Sequence, residues 1–205
     1  MSDSLDLGLF PLDLVLLPGE RAPLHLFEPR YRQLYADCTL EDRPFVVVKT
    51  GPTGTAEIGC SARFETLLKR FEDGRISVIV QGIAPVRLIE ETDGHLYFSA
   101  LVEPLEDDAA TAAPELVADV LGRFRSLAGL GEDAMPEAPE GVALSYAVAG
   151  AFELPPEPKQ ELLESRDEGV RLAMLVELLT LVDKEMQHAR MAAHRAGTNG
   201  RVSTP

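Results

Sequence analysis

Side chains able to make or break covalent bonds are scattered through this 205-residue chain rather than grouped. A serine nucleophile on an α/β-hydrolase scaffold needs the strained GxSxG turn, and neither Ser61 nor Ser145 lies in one. A Ser-Lys dyad needs an amine made less basic by desolvation. Lys49, Lys69, Lys159 and Lys184 read mostly as surface residues instead. His25, His95, His188 and His194 fall in an extended stretch, a hairpin and a polar helix end, without HExxH or comparable spacing for a metal. Cys38 and Cys60 are far apart and form no CxxC, so they read as reduced, buried thiols. The neighbours Glu90-Glu91 and Asp107-Asp108 point to opposite sides of an extended chain and read as solvated turns and strand ends. Thr50-Gly51-Pro52-Thr53-Gly54-Thr55 comes nearest to a phosphate cradle, but it lacks the lysine and leads into a strand. No GxGxxG fingerprint is present. The expectation is a chain with no catalytic residue, no metal and no cofactor.

The elements that would carry these residues divide into strands first and helices afterwards. Leu9-Phe10-Pro11-Leu12 opens an extended segment, and Val15-Leu16-Leu17 runs into the turn Pro18-Gly19. Ala22 to Phe27 is extended again, with Pro23 implying an edge or a bulge. Glu28-Pro29-Arg30 starts a short helix whose apolar face is Tyr31, Leu34, Tyr35 and Cys38. Phe45 to Val48 reads as a buried strand. Asp73-Gly74 and Asp93-Gly94 are hairpin signals, and Ile76, Val78 and Val80 alternate with more polar neighbours. Residues 107–114 read as a linker. Helices follow at Glu115 to Leu127, Val142 to Phe152 and Lys159 to Glu164, and a long one runs from about Glu168 to His194. This order predicts an α+β fold: a barrel subdomain at 1–106, a linker at 107–114, a helical subdomain at 115–196 and a disordered tail at 197–205.

Composition narrows the function classes. With 45% hydrophobic and 26% charged residues the chain folds as an ordinary globular protein. No window approaches the ~18 apolar residues of a membrane span, and Met1 to Leu7 lacks the basic and apolar runs of a signal peptide. A cytoplasmic location is the expectation. The formal net charge is -15, and sixteen acidic residues stand against four basic ones between Glu103 and Glu168. Such a surface keeps a protein soluble and repels polyanions.

Three motifs in order carry a family resemblance. Leu9-Phe10-Pro11-Leu12, Leu16-Leu17-Pro18-Gly19 and Leu24-His25-Leu26-Phe27-Glu28-Pro29-Arg30-Tyr31 resemble the opening signature of the Lon protease N-terminal domain. Asp73-Gly74-Arg75 and Val80-Gln81-Gly82 look like the hairpin that follows there. Lys159 to Glu164 and Arg171-Leu172 resemble its helical part, so the similarity spans roughly residues 8 to 187. The resemblance implies a PUA-like mixed or antiparallel β-barrel of about six strands, then a helical bundle ending in a long helix. It also implies engagement of unfolded or degron-bearing polypeptides. In that family the ATPase and the Ser-Lys peptidase lie further along the chain, and a stand-alone relative lacking both is expected here.

The residues expected to meet a client polypeptide are Leu16, Leu17, Pro18, Leu24, Phe27, Arg30 and Tyr31, in a segment greasier than a thin edge strand can bury. Leu24 and Leu26 read more readily as core, and Arg30 and Tyr31 equally as residues pinning the helix to the barrel. The partners expected are unfolded client polypeptides and a protease or other protein, with the chain acting as an adaptor or holdase; nucleic acid and membrane are not expected. The alternatives are an RNA-binding PUA-like module and a regulatory protein-interaction subunit.

Overall fold

A seventeen-residue strand, far longer than one sheet layer needs, organises the architecture. The structure, a computed structural model, describes residues 4–52, 54–109 and 111–198. Its strands are β1 (Leu5–Leu12), β2 (Arg21–Leu26), β3 (Phe45–Gly51), β4 (Gly54–Thr55), β5 (Ile58–Arg70), β6 (Ile76–Thr92) and β7 (Ser99–Pro104). Its helices are α1 (Pro29–Glu41), α2 (Pro114–Ala128), α3 (Leu144–Gly150), α4 (Pro156–Glu164) and α5 (Glu168–Thr198).

The sheet closes on itself. Its order is β1-β7-β6-β5-β3, and β1 returns to β3 as a parallel pair with Leu9 opposite Val46. All other pairings are antiparallel. β6 pairs with β5 along one side. On its other side it is shared, taking β2 over Ile76 to Gln81 and β7 over Val86 to Thr92. A strand that serves two neighbours in succession must curl, and register shifts supply the bends: three between β5 and β6, and one at Leu88/Glu90 opposite β7. The hairpin from β5 to β6 turns at Asp73-Gly74, where Gly74 has φ +84°, a conformation that favours glycine.

Alternation along the strands builds two apolar layers. Leu7, Leu9, Val46, Val48, Val86, Ala100 and Val102 form one buried cluster. The intervening residues face α1. Phe10 stacks on Tyr31 with ring centroids 4.1 Å apart, Phe45 stacks on Phe64 at 4.3 Å, and Tyr35 meets Phe64 edge-on at 5.0 Å. Pro29 sits in the first turn of α1, and Tyr31, Leu34 and Cys38 are its buried face.

Two compact units result. The first comprises residues 1–110 and 136–168, and the second 111–135 and 169–205. The composition shift at 107–114 marks where the chain leaves the sheet, but 136–168 groups with the sheet again. Within the first unit, Lys159 of α4 reaches Glu20, and Glu168 caps α3 by accepting from Ser145 N–H at 2.9 Å and from its hydroxyl at 2.5 Å. In the second, α2 buries Val120 and Phe124, α5 buries Leu172, Leu175 and Leu179, and Arg123 donates to Thr180 Oγ1 at 2.8 Å. α5 runs through Thr198, past the helix end expected near His194 and into the first residues read as a tail. The rest of that stretch, 199–205, lies outside the described residues.

Candidate functional site

β2 leaves a sheet edge open. Among the described residues its one strand partner is β6. Just before the strand, Gly82 N–H donates to the Glu20 carbonyl at 2.9 Å, so the even-numbered residues of β2 exchange the ladder bonds with β6. The main-chain groups of Arg21, Pro23 and His25 therefore point away from β6. Pro23 fits there because its missing N–H takes no bond from the ladder. Side chains alternate in step: Leu24 and Leu26 are buried, whereas Arg21, Pro23, His25 and Phe27 are exposed.

The outer face beside this edge is apolar at one end and polar at the other. Phe27 is 61% exposed and lies parallel to the His25 ring, their centroids 6.5 Å apart. His25 is held by Ser77 Oγ at 2.9 Å and by the edge of Phe71 at 5.5 Å. Lys69 and Arg75 stand over Phe71 at 4.6 Å and 5.3 Å. Asp73, which accepts the Arg75 N–H and guanidinium, is held below the usual carboxylate range, the backbone N–H contributing most. Leu67 and Leu68 of β5 are also exposed.

At the start of β2 the surface opens into a cleft of about 580 Å³. Arg21 crosses it with a two-pronged bond to Glu65 at 2.7 and 2.8 Å, and the Glu65 hydrogen bond raises the arginine's already high pKa. Arg63 donates to Gln81 Oε1 at 2.5 Å. Beneath, Lys159 gives two bonds of 2.6 and 2.7 Å to the Glu20 carboxylate, which also accepts the Leu17 N–H at 2.9 Å. Lys159 is thus buried, against the expectation of a surface lysine: its ammonium is taken up by a partner 139 residues away in sequence.

The seven residues expected to touch a client do not form one surface. Leu16, Leu17, Pro18, Leu24 and Tyr31 are buried, and burial raises the Tyr31 phenol's pKa above its ordinary value. Phe27 is open to solvent, and Arg30 is half-buried, paired with Glu28 at 2.6 Å and set over the Tyr31 and Phe98 rings. His25, which lies against Phe27, and Phe71, which meets His25 edge-on, are absent from that expectation. The period-two alternation from Leu24 to Phe27 was the signal for His25; Phe71 comes from a distant segment that no local pattern links to it.

The arrangement offers main-chain hydrogen bonds and aromatic surface, and both thiols are buried away from it. Desolvation pushes the Cys38 thiol up to about 11 and the Cys60 thiol up to about 12, so both are protonated at neutral pH. Among the described residues no cluster of His, Cys, Asp or Glu is placed to hold a metal ion, and no helix is long and apolar enough to cross a membrane.

Comparisons with known proteins converge on this architecture. Residues 6–180 match the family model of the ATP-dependent protease La (LON) substrate-binding domain. The chain is 29% identical over 194 residues to Lon protease 2 of Myxococcus xanthus, an alignment covering 84% of this chain and 23% of that protein. With the Lon protease of Anaeromyxobacter dehalogenans it shares 27% identity over 193 residues, with the same coverage. The chain thus spans about a quarter of the length of these relatives. The crystal structure of a Lon N-terminal domain protein from Xanthomonas campestris superposes with a TM-score of 0.64 at 26% identity, covering 84% of this chain and 98% of that one. The N-terminal domain of a Mycobacterium avium complex Lon protease has a TM-score of 0.61 at 18% identity, with coverages of 85% and 98%, a likeness of fold.

Proposed function

Because the chain belongs to the family of the ATP-dependent protease La (LON) substrate-binding domain, we propose that its first unit recognises extended polypeptide along the open edge of β2. The observation that carries this reading is the pairing of a free strand edge with Phe27 exposed at its end, while the neighbouring Leu24 and Leu26 are spent on the core. A client strand would bond to the Arg21 and His25 N–H groups and to the carbonyls of residues 21, 23 and 25. Those bonds are indifferent to client sequence. Selectivity would come from alternate client side chains meeting Pro23, His25 and Phe27, so apolar and aromatic residues are favoured.

Nothing in this mode makes or breaks a covalent bond. The chain would hold unfolded or degron-bearing segments, as an adaptor beside a protease or as a holdase, and leave turnover to other machinery. Its net charge of -15 sets it against RNA, whose affinity rests on neutralising phosphates.

Fluorescence anisotropy with labelled, permanently unfolded casein tests the reading. Phe27→Asp puts a charge on an exposed position and keeps the core, so the fold should survive while affinity falls by about tenfold or more. Leu17→Asp is unsuitable as a binding variant because Leu17 is fully buried. Equal affinity of the native chain and Phe27→Asp, or no binding by either, would remove the proposal.

A further inference from the structure

A second groove lies at the opposite end of β6, away from the residues that pair with β2. Here the strand carries a register shift between Leu88 and Glu90, and four consecutive residues, Leu88 to Glu91, line one opening of about 390 Å³. A regular strand would send every other one to the opposite face, so the bulge is what gathers them. The floor is apolar and continuous with the barrel core through Leu9, Leu88 and Ala100. Ile89 and Phe98 stand above it, 55% and 51% exposed. Main-chain bonds fix the rim: Leu88 N–H donates to the Glu57 carbonyl at 2.8 Å, and Leu9 N–H to the Phe98 carbonyl at 2.7 Å.

The charge at this groove has one sign. Glu57, Glu90 and Glu91 line it, all three exposed, and no Lys, Arg or His does so among the described residues. Arg30, over the Phe98 ring, is paired with Glu28, and Lys49, which precedes the lining residue Thr50, gives its ammonium to Glu157. A preformed apolar floor of this size takes one or two large side chains. The carboxylates around it favour positive over negative charge in whatever docks beside them.

We propose that this groove docks a segment of another polypeptide in which one or two large apolar residues are flanked by lysine or arginine. This surface is distinct from the β2 edge and goes beyond the reading above. Apolar contact supplies the affinity; the three carboxylates exclude acidic segments and make binding weaken as salt rises.

Three labelled octapeptides test it by anisotropy with the full chain: a Leu-Phe core flanked by lysines, the same core flanked by glutamates, and a serine core flanked by lysines. The first should bind, and the other two should bind about tenfold more weakly or worse. Glu90→Lys with Glu91→Lys, and separately Ile89→Asp, should each weaken the first peptide about tenfold. Both alter exposed side chains, and an unchanged melting temperature identifies an intact fold. Phe27→Asp should leave unaltered the preference for the lysine-flanked over the glutamate-flanked peptide, which separates the groove from the β2 edge. Equal binding of the glutamate-flanked peptide, equal binding of the serine-cored peptide, or loss in Phe27→Asp with none in the Glu90/Glu91 variant would each overturn the proposal.

Discussion

Lys159 and Glu20 show how much a single buried pair can carry. Their side chains are 10% and 17% exposed, and the carboxylate has two donors, the ammonium and the Leu17 N–H. Removing one partner of such a pair strands the other charge in a desolvated place, which costs several kcal/mol. Lys159→Met should therefore lower unfolding free energy by about 3 kcal/mol, the low end of that range, because the Leu17 N–H still serves Glu20. Adding Glu20→Gln, which keeps an acceptor for Leu17, should recover part of the loss. Urea denaturation of the two variants is the check, and a double variant less stable than Lys159→Met alone would contradict the assignment. Local pattern could not reveal this bond, since its partners are 139 residues apart and each reads alone as an ordinary surface charge.

Between residue and molecule, the decisive element is the crossing of the loop at Leu17 to Glu20 over β6. Gly19 N–H donates to the Gly82 carbonyl and Gly82 N–H to the Glu20 carbonyl, each at 2.9 Å. A β-carbon at Gly82 would run into the Leu17 carbonyl, which is backbone and cannot swing aside. Gly82→Ala should cost about 3 kcal/mol, at the top of the range for overpacking, and should displace the start of β2. Thermal melts measure the first effect. The turn at Asp73-Gly74, the start of α1 at Pro29 and the edge position of Pro23 were legible in the sequence because each depends on a residue's own backbone limits. Whether Leu16 and Leu17 face a client or the core was not, because burial there is decided by the loop packing across a distant strand.

For the molecule as a whole, an open strand edge flanked by aromatic residues is a liability as well as a tool, since edges recruit other edges. Pro23 interrupts the row of donors and Arg21 places a charge on the edge strand itself, two devices that discourage permanent edge pairing. The return of 136–168 to the sheet unit was hidden from the sequence, where helices following strands read as a separate half; long-range contacts such as Gln160 donating to the Ile58 carbonyl at 3.0 Å hold it there. Two backbone amides report whether a client strand pairs with β2. Hydrogen exchange followed by NMR, with and without saturating unfolded polypeptide, reads them directly. The N–H groups of Arg21 and His25, which have no ladder partner among the described residues, should slow markedly once a client strand pairs with them, while the even-numbered amides of β2 change little. A client that binds and leaves Arg21 and His25 exchanging at their free rates would contradict the account.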